Sequence, residues 1–145
     1  MKKFKFKLQK LLDIRTKEED ESKSIYYQAQ NEKKEIENKL FELEESYKKY
    51  SNLSITKDSI TQKITINYLS HLNTDIINTI KELEEKENKV NDIKQDFINK
   101  RIKRKSLEVL KENKIYELNN EEQRLEQITN DEFALYGYIR RLSNL

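Results

Sequence analysis

The chain has 145 residues, of which 39% are charged and 34% hydrophobic. That apolar share is too small for a globular core and leaves either a disordered chain or a long coiled helix. The near-cancellation of 29 basic by 27 acidic residues argues against simple disorder. There is no cysteine, which excludes disulfides, thiolate chemistry and a cysteine-type zinc site and fits a reducing cytoplasm; no apolar run reaches the length of a signal-peptide core or a membrane span.

The residues that stop helices are almost missing. There is no proline, and the one glycine is Gly137, far along the chain. The expected fold is all-α: one antiparallel two-helix coiled-coil hairpin filling residues 1–145 as a single domain. Helix one is expected over about 3–50, a turn over about 51–57, and helix two over about 57–142. Helix two alone would span about 125 Å, too long to lie inside a compact domain, so the expectation is a rod.

From the N-terminus, Phe4-Lys5-Phe6-Lys7-Leu8 alternates, and a heptad seam then takes over. Its positions are Leu8, Leu11, Arg15, Glu18, Ser22, Ile25, Ala29, Lys33, Ile36, Leu40, Leu43, Tyr47 and Tyr50, in steps of three and four. Polar members such as Arg15, Glu18, Ser22 and Lys33 weaken packing and can fix register. Ser51 to Thr56 has low helix propensity and reads as the turn, with Ser54, Thr56 or Asp58 able to cap the next helix. The second seam is Tyr68 or Leu69, then Leu72, Ile76, Ile80, Leu83, Glu87, Val90, Ile93, Phe97 and Arg101. A turn near Leu53 favours antiparallel helices and sets Leu40 opposite Leu69, Ala29 opposite Ile80, Ile25 opposite Leu83 and Leu11 opposite Phe97. Any heptad pair can also be slid by seven.

In that register helix one runs out near Lys103. Residues from about Lys105 onward, about 60 Å of helix, then lack a partner yet keep an apolar series: Leu107, Leu110, Ile115, Leu118, Leu125, Ile128, Leu135, Ile139 and Leu142. An apolar stripe of that length marks an interaction surface, unless Asn119-Asn120 breaks the helix and the tail folds back.

Nothing in the chain reads as an active site. A lone glycine cannot form a phosphate-binding loop. His71 has no second ligand at ligand-like spacing and reads as a surface or seam-edge residue. The run Glu18 to Glu21 spreads round a helix as a solvated face. No enzyme activity, cofactor or metal site is expected. Two basic runs, Lys2, Lys3, Lys5, Lys7, Lys10 and Lys100, Arg101, Lys103, Arg104, Lys105, meet at one level in the expected register. They would attract an acidic surface, with Arg101 and Arg104 the steering cations, or simply keep the chain soluble. A net charge of +2 disfavours a nucleic-acid role. Aromatics gather near the turn: Phe41, Tyr47, Tyr50 and Tyr68. Tyr47 and Tyr50 lie on the seam, whereas Phe41 should be partly exposed and open to a partner.

Three stretches carry a resemblance. The opening F-x-F-x-L-Q-x-L-L-D-x-R runs from Phe4 to Arg15, and the second is Arg104 to Glu112. The third is Glu121-Glu122, Glu126-Gln127 and the closing D-E-x-A of Asp131, Glu132 and Ala134. In that order they resemble the FliJ family of flagellar type III export proteins over essentially the whole chain. The resemblance implies a non-enzymatic, cytoplasmic stalk-like hairpin, peripheral to the membrane at the flagellar base and without insertion into it. The implied partners are the hexameric flagellar export ATPase, the cytoplasmic part of the export gate protein, and export chaperones. By motif, the implied ATPase-ring residues are Phe4, Phe6, Leu8, Leu11, Arg15, Leu107, Leu110, Asp131, Glu132 and Ala134. The implied gate-binding face lies nearer the turn, at Leu43, Tyr47, Tyr50 and Leu72. The alternatives are the stalk of a virulence secretion system or another rotary ATPase, and a structural coiled coil whose overhangs pair with each other.

Overall fold

The computed structural model describes residues 4–53 and 58–144. Two helices account for nearly all of them: α1, Gln9–Leu53, and α2, Ser59–Ser143. No strand occurs among the described residues. Residues 4–6 are not helical. The Gln9 amide bonds the Phe6 carbonyl at 3.1 Å and the Leu12 amide bonds that of Leu8 at 2.9 Å, which starts α1 at Gln9 rather than near Lys3. Residues 51–53, expected in the turn, continue α1, and the rest of that turn, including Ser54 and Thr56, lies outside the described residues. Of the three capping candidates Asp58 is seen in the role. Its carboxylate accepts the Thr61 amide at 3.0 Å, satisfying one of the free donors at the start of α2. At the other end Arg140 and Arg141 occupy the last turn of α2, where positive charge complements the helix dipole. Asn119-Asn120 does not interrupt α2, so the reading in which the tail folds back is overturned. Low asparagine propensity costs only tenths of a kilocalorie per residue against otherwise strong helix formers.

Contacts divide the chain into two units: residues up to Thr16 together with those from Ile102 onward, and Lys17–Arg101.

In Lys17–Arg101 the helices run antiparallel. Ascending α1, the cross-helix partners descend α2. Ser22 donates to Asp96 at 3.0 Å and Tyr26 stacks on Phe97. Lys33 lies 3.8 Å from Glu87, Lys86 binds Glu32, Lys39 lies 4.0 Å from Glu82, and Tyr50 meets Tyr68 edge-on. Heptad steps from these contacts put Leu40 level with Thr79, Ala29 with Val90 and Lys33 with Lys86, all of them buried or half-buried. The expected levels Leu40–Leu69, Ala29–Ile80 and Ile25–Leu83 are therefore corrected, and Phe97 is stacked on Tyr26 instead of lying opposite Leu11.

The seam is also corrected in phase. Ile25 and Ile80 are exposed, while their neighbours Tyr26 and Thr79 face the partner helix. Thr79 is 2% exposed and Ile80 46%. Packing decides this against hydrophobicity. The Tyr26 ring stacks on Phe97 with centroids 5.9 Å apart, and small Ser22, Ala29, Thr65 and Thr79 are among the buried residues. The buried threonine hydroxyls are satisfied within their own helix, Thr79 to the Asp75 carbonyl at 2.7 Å and Thr65 to that of Thr61 at 2.8 Å.

In the other unit Lys111 donates to Gln9 at 2.7 Å, and Leu12 is buried. Heptad steps from that contact bring Leu12 level with Leu107 and Arg15 with Arg104. Pairing thus extends on α2 to Lys111, beyond the expected end near Lys103. From Glu112 to Asn144 every residue is exposed.

Two outcomes follow for stability. Leu72 is 5% exposed and Leu125 is 53% exposed. Thermal unfolding followed by circular dichroism should show Leu72→Ala costing about 2–5 kcal/mol and Leu125→Ala almost nothing; comparable losses would mean that the tail is packed within the chain. The second concerns pH. The hydrogen bond and positive charge of Lys86 hold the Glu32 carboxyl below its ordinary value. A carboxyl lowered on folding adds stability above its unfolded pKa, and that stability is lost as pH falls through the folded value. Glu32→Gln should therefore melt below wild type at neutral pH, and the gap should close in acid.

Candidate docking surfaces

The uncovered part of α2 repeats the seam spacing beyond the last pairing contact. Leu118, Leu125, Ile128, Leu135, Ile139 and Leu142 continue the series that includes buried-face Leu107, and all six are exposed. Glu121 and Glu132 interrupt the series. Acidic residues crowd its first part, at Glu117, Glu121, Glu122, Glu126, Asp131 and Glu132, and Arg124 is held by Glu121 at 2.7 Å. Beyond Glu132 the only charges are Arg140 and Arg141. Phe133, Tyr136 and Tyr138 stand off the stripe, exposed. Chemically, this is an apolar ridge with acidic flanks and a basic tip.

The unit that holds this ridge also gathers most residues expected to face the ATPase ring. Phe4 and Phe6 are half-buried, with rings stacked at 6.4 Å. Leu8 and Leu110 are exposed; Leu11, Arg15 and Leu107 are half-buried; Asp131, Glu132 and Ala134 are exposed. Arg104 is committed to Glu108 at 2.6 Å, with its side chain only 18% exposed. Arg101 is exposed and belongs to the other unit. The expected meeting of the two basic runs is corrected by the Gln9–Lys111 bond, which sets Lys7 and Lys10 beside the stretch around Lys111. Arg104 comes level with Arg15 instead. Lys2 and Lys3 lie outside the described residues.

Of the residues expected at the gate, Phe41 is exposed, Tyr47 and Tyr50 are partly exposed, and Leu43 is half-buried. Leu72 is packed in the core seam, so it supports this surface from beneath. Tyr50 and Tyr68 meet at 4.8 Å and 80°, the edge-to-face geometry favoured by aromatic quadrupoles. Beside them lie exposed residues absent from the expected set: Leu53, Ile60, Ile64 and Ile66. A signal for them exists in the sequence. Ile60 and Ile64 are an i,i+4 apolar pair off the seam, in a stretch from Ser59 to Ile80 whose only Asp, Glu, Lys, Arg or His residues are Lys63, His71 and Asp75.

His71 is exposed. Among the described residues no three His, Cys, Asp or Glu side chains gather as a metal site, and no helix is long and apolar enough to cross a membrane.

Fold and surfaces together define an all-α, two-helix coiled-coil protein with an uncovered seam along its second helix. The family model for the flagellar FliJ protein matches residues 4–143. The chain belongs to the FliJ family, which makes it a flagellar export-associated protein. No curated protein and no solved structure matches it.

Proposed function

We propose that the chain is a stalk-like component of the flagellar export apparatus whose uncovered α2 seam docks in the ring of the export ATPase. The observation that carries this reading is the exposed ridge from Leu118 to Leu142, in a chain of this family. Its heptad spacing is what a helical partner surface needs in order to cover it, and an exposed apolar face of that length is costly unless something does. Phe4, Phe6, Leu8 and Leu110 extend the apolar contact. Asp131, Glu132 and the exposed cation of Arg101 set electrostatic complementarity. Arg104, tied to Glu108, shapes the surface more than it steers encounter. Phe41, Tyr47 and Tyr50, underpinned by Leu43 and Leu72, serve the cytoplasmic part of the export gate, and chaperones are met in the same cytoplasmic setting at the flagellar base.

The test is ATP turnover by the purified flagellar export ATPase, titrated with this protein. Leu125→Ala combined with Leu135→Ala removes two ridge side chains at exposed helical positions, so helicity should stay at the wild-type level. The concentration giving half-maximal stimulation should rise about tenfold or more, the scale of losing central apolar contacts, mainly through faster dissociation. Arg101→Glu should instead slow association and flatten its salt dependence. If the folded leucine variant stimulates as well as wild type, the ring contact lies elsewhere.

A further inference from the structure

We propose that Glu132 keys the uncovered seam of α2: it admits a helix of another protein that sets a lysine or arginine opposite it, and it turns away a second copy of this chain. The inference rests on the reading that the seam is a docking surface. It does not depend on which protein docks there.

The seam runs on without a break past the end of its cover. Arg104, Leu107 and Lys111 are its last half-buried members. Steps of three and four then lead to Lys114, Leu118, Glu121, Leu125, Ile128, Glu132, Leu135, Ile139 and Leu142. The spacing that α1 covers is thus the spacing left uncovered, so a helix is the shape that fits it. From Leu125 to Leu142, Glu132 is the one charged level.

Covered charges in this molecule are met by opposite charge. Lys33 lies 3.8 Å from Glu87 across the pair, Lys86 binds Glu32, and Arg104 binds Glu108 at 2.6 Å. In the uncovered seam Glu121 brings its own cation, Arg124, at 2.7 Å. Glu132 does not: the residues three and four away are Ile128, Thr129, Leu135 and Tyr136. While exposed, its carboxylate is solvated. Covered by an apolar side chain, it would lose that water and gain nothing, which is strongly unfavourable. Covered by a lysine or arginine, it would make a charge-assisted hydrogen bond between apolar layers.

The same carboxylate opposes the most available wrong partner, a second copy. Two ridges can lie antiparallel with Leu118 opposite Leu142 and Leu125 opposite Leu135. The incoming tip, Asn144, then reaches only Tyr116, short of the covered level at Lys111. In that pairing Glu132 of each copy faces Ile128 of the other, at the centre of the overlap. A slide of one heptad sets it against Glu121 or Leu135 instead. A parallel copy sets Glu132 against Glu132 and brings a second α1 to the face that α1 already covers. Unpaired charges of this kind are a general means of excluding a wrong partner.

Full-length variants test both halves by sedimentation equilibrium. Glu132→Leu makes the central layers of the antiparallel pair apolar and should self-associate about tenfold or more tightly than wild type. Moving the charge makes a stand-in for the proposed partner: Ile128→Lys with Glu132→Leu presents a lysine to wild-type Glu132 and a leucine to wild-type Ile128. Alone it should associate as weakly as wild type, because its new lysine would face its new leucine. Mixed with wild type it should form a one-to-one complex. Helicity should be unchanged throughout, since the positions are exposed and leucine and lysine are strong helix formers. Should Glu132→Leu lose helicity, Glu132→Gln, which drops the charge at constant shape, is read the same way. A helical variant no more associated than wild type overturns the exclusion of a second copy, and a mixture no more associated than its components overturns the key. No export ATPase is present, so failure here is distinct from failure of docking in the ring.

Discussion

Everything in this structure depends on one seam between two helices of unequal length. The first helix has 45 residues and the second 85, so the second cannot be covered by the first along its whole length. Where the seam is covered it stabilises the fold. Where it is not, the same spacing of leucine and isoleucine is left facing solvent.

The covered part is built from modest material. Its most buried positions include Ser22, Ala29, Thr65 and Thr79, and lysines share a layer at its centre. Small side chains let the helices approach closely but bury little apolar area each, so the hydrophobic term per layer is low. Ion pairs along the edges are partly exposed and individually contribute little. Their value lies in discrimination: a displaced register would put charges against apolar side chains. Such a hairpin is specified more sharply than it is stabilised.

The electrostatics of the uncovered segment differ from what the basic runs suggest. Between Glu117 and Glu132 acidic side chains dominate, and Arg140 and Arg141 come only at the end. A partner complementary to this ridge would be basic along much of its length and apolar where Leu135, Ile139 and Leu142 project. The cations nearest the pairing zone are partly spent on the protein itself, Arg104 on Glu108 and Lys111 on Gln9.

Fold class and antiparallel pairing were legible in the sequence, and so was the existence of an uncovered stretch of the second helix, though not the level at which it begins. They rest on local facts: the absence of proline, the solitary Gly137, and apolar residues in steps of three and four. The family resemblance too was carried by the opening and closing motifs, and the match over residues 4–143 agrees with it. Register and phase were not legible. Adjacent candidates such as Ile25 and Tyr26, or Thr79 and Ile80, satisfy the same periodicity, and a heptad repeat is by construction indifferent to a slide of seven. Only the tertiary structure decided them, through contacts between residues remote in the chain: Tyr26 on Phe97, Ser22 on Asp96 and Lys86 on Glu32. The physical reason is that periodicity in one helix records which face is apolar, whereas the level at which two faces meet depends on shape and charge complementarity that exists only once both helices are in place.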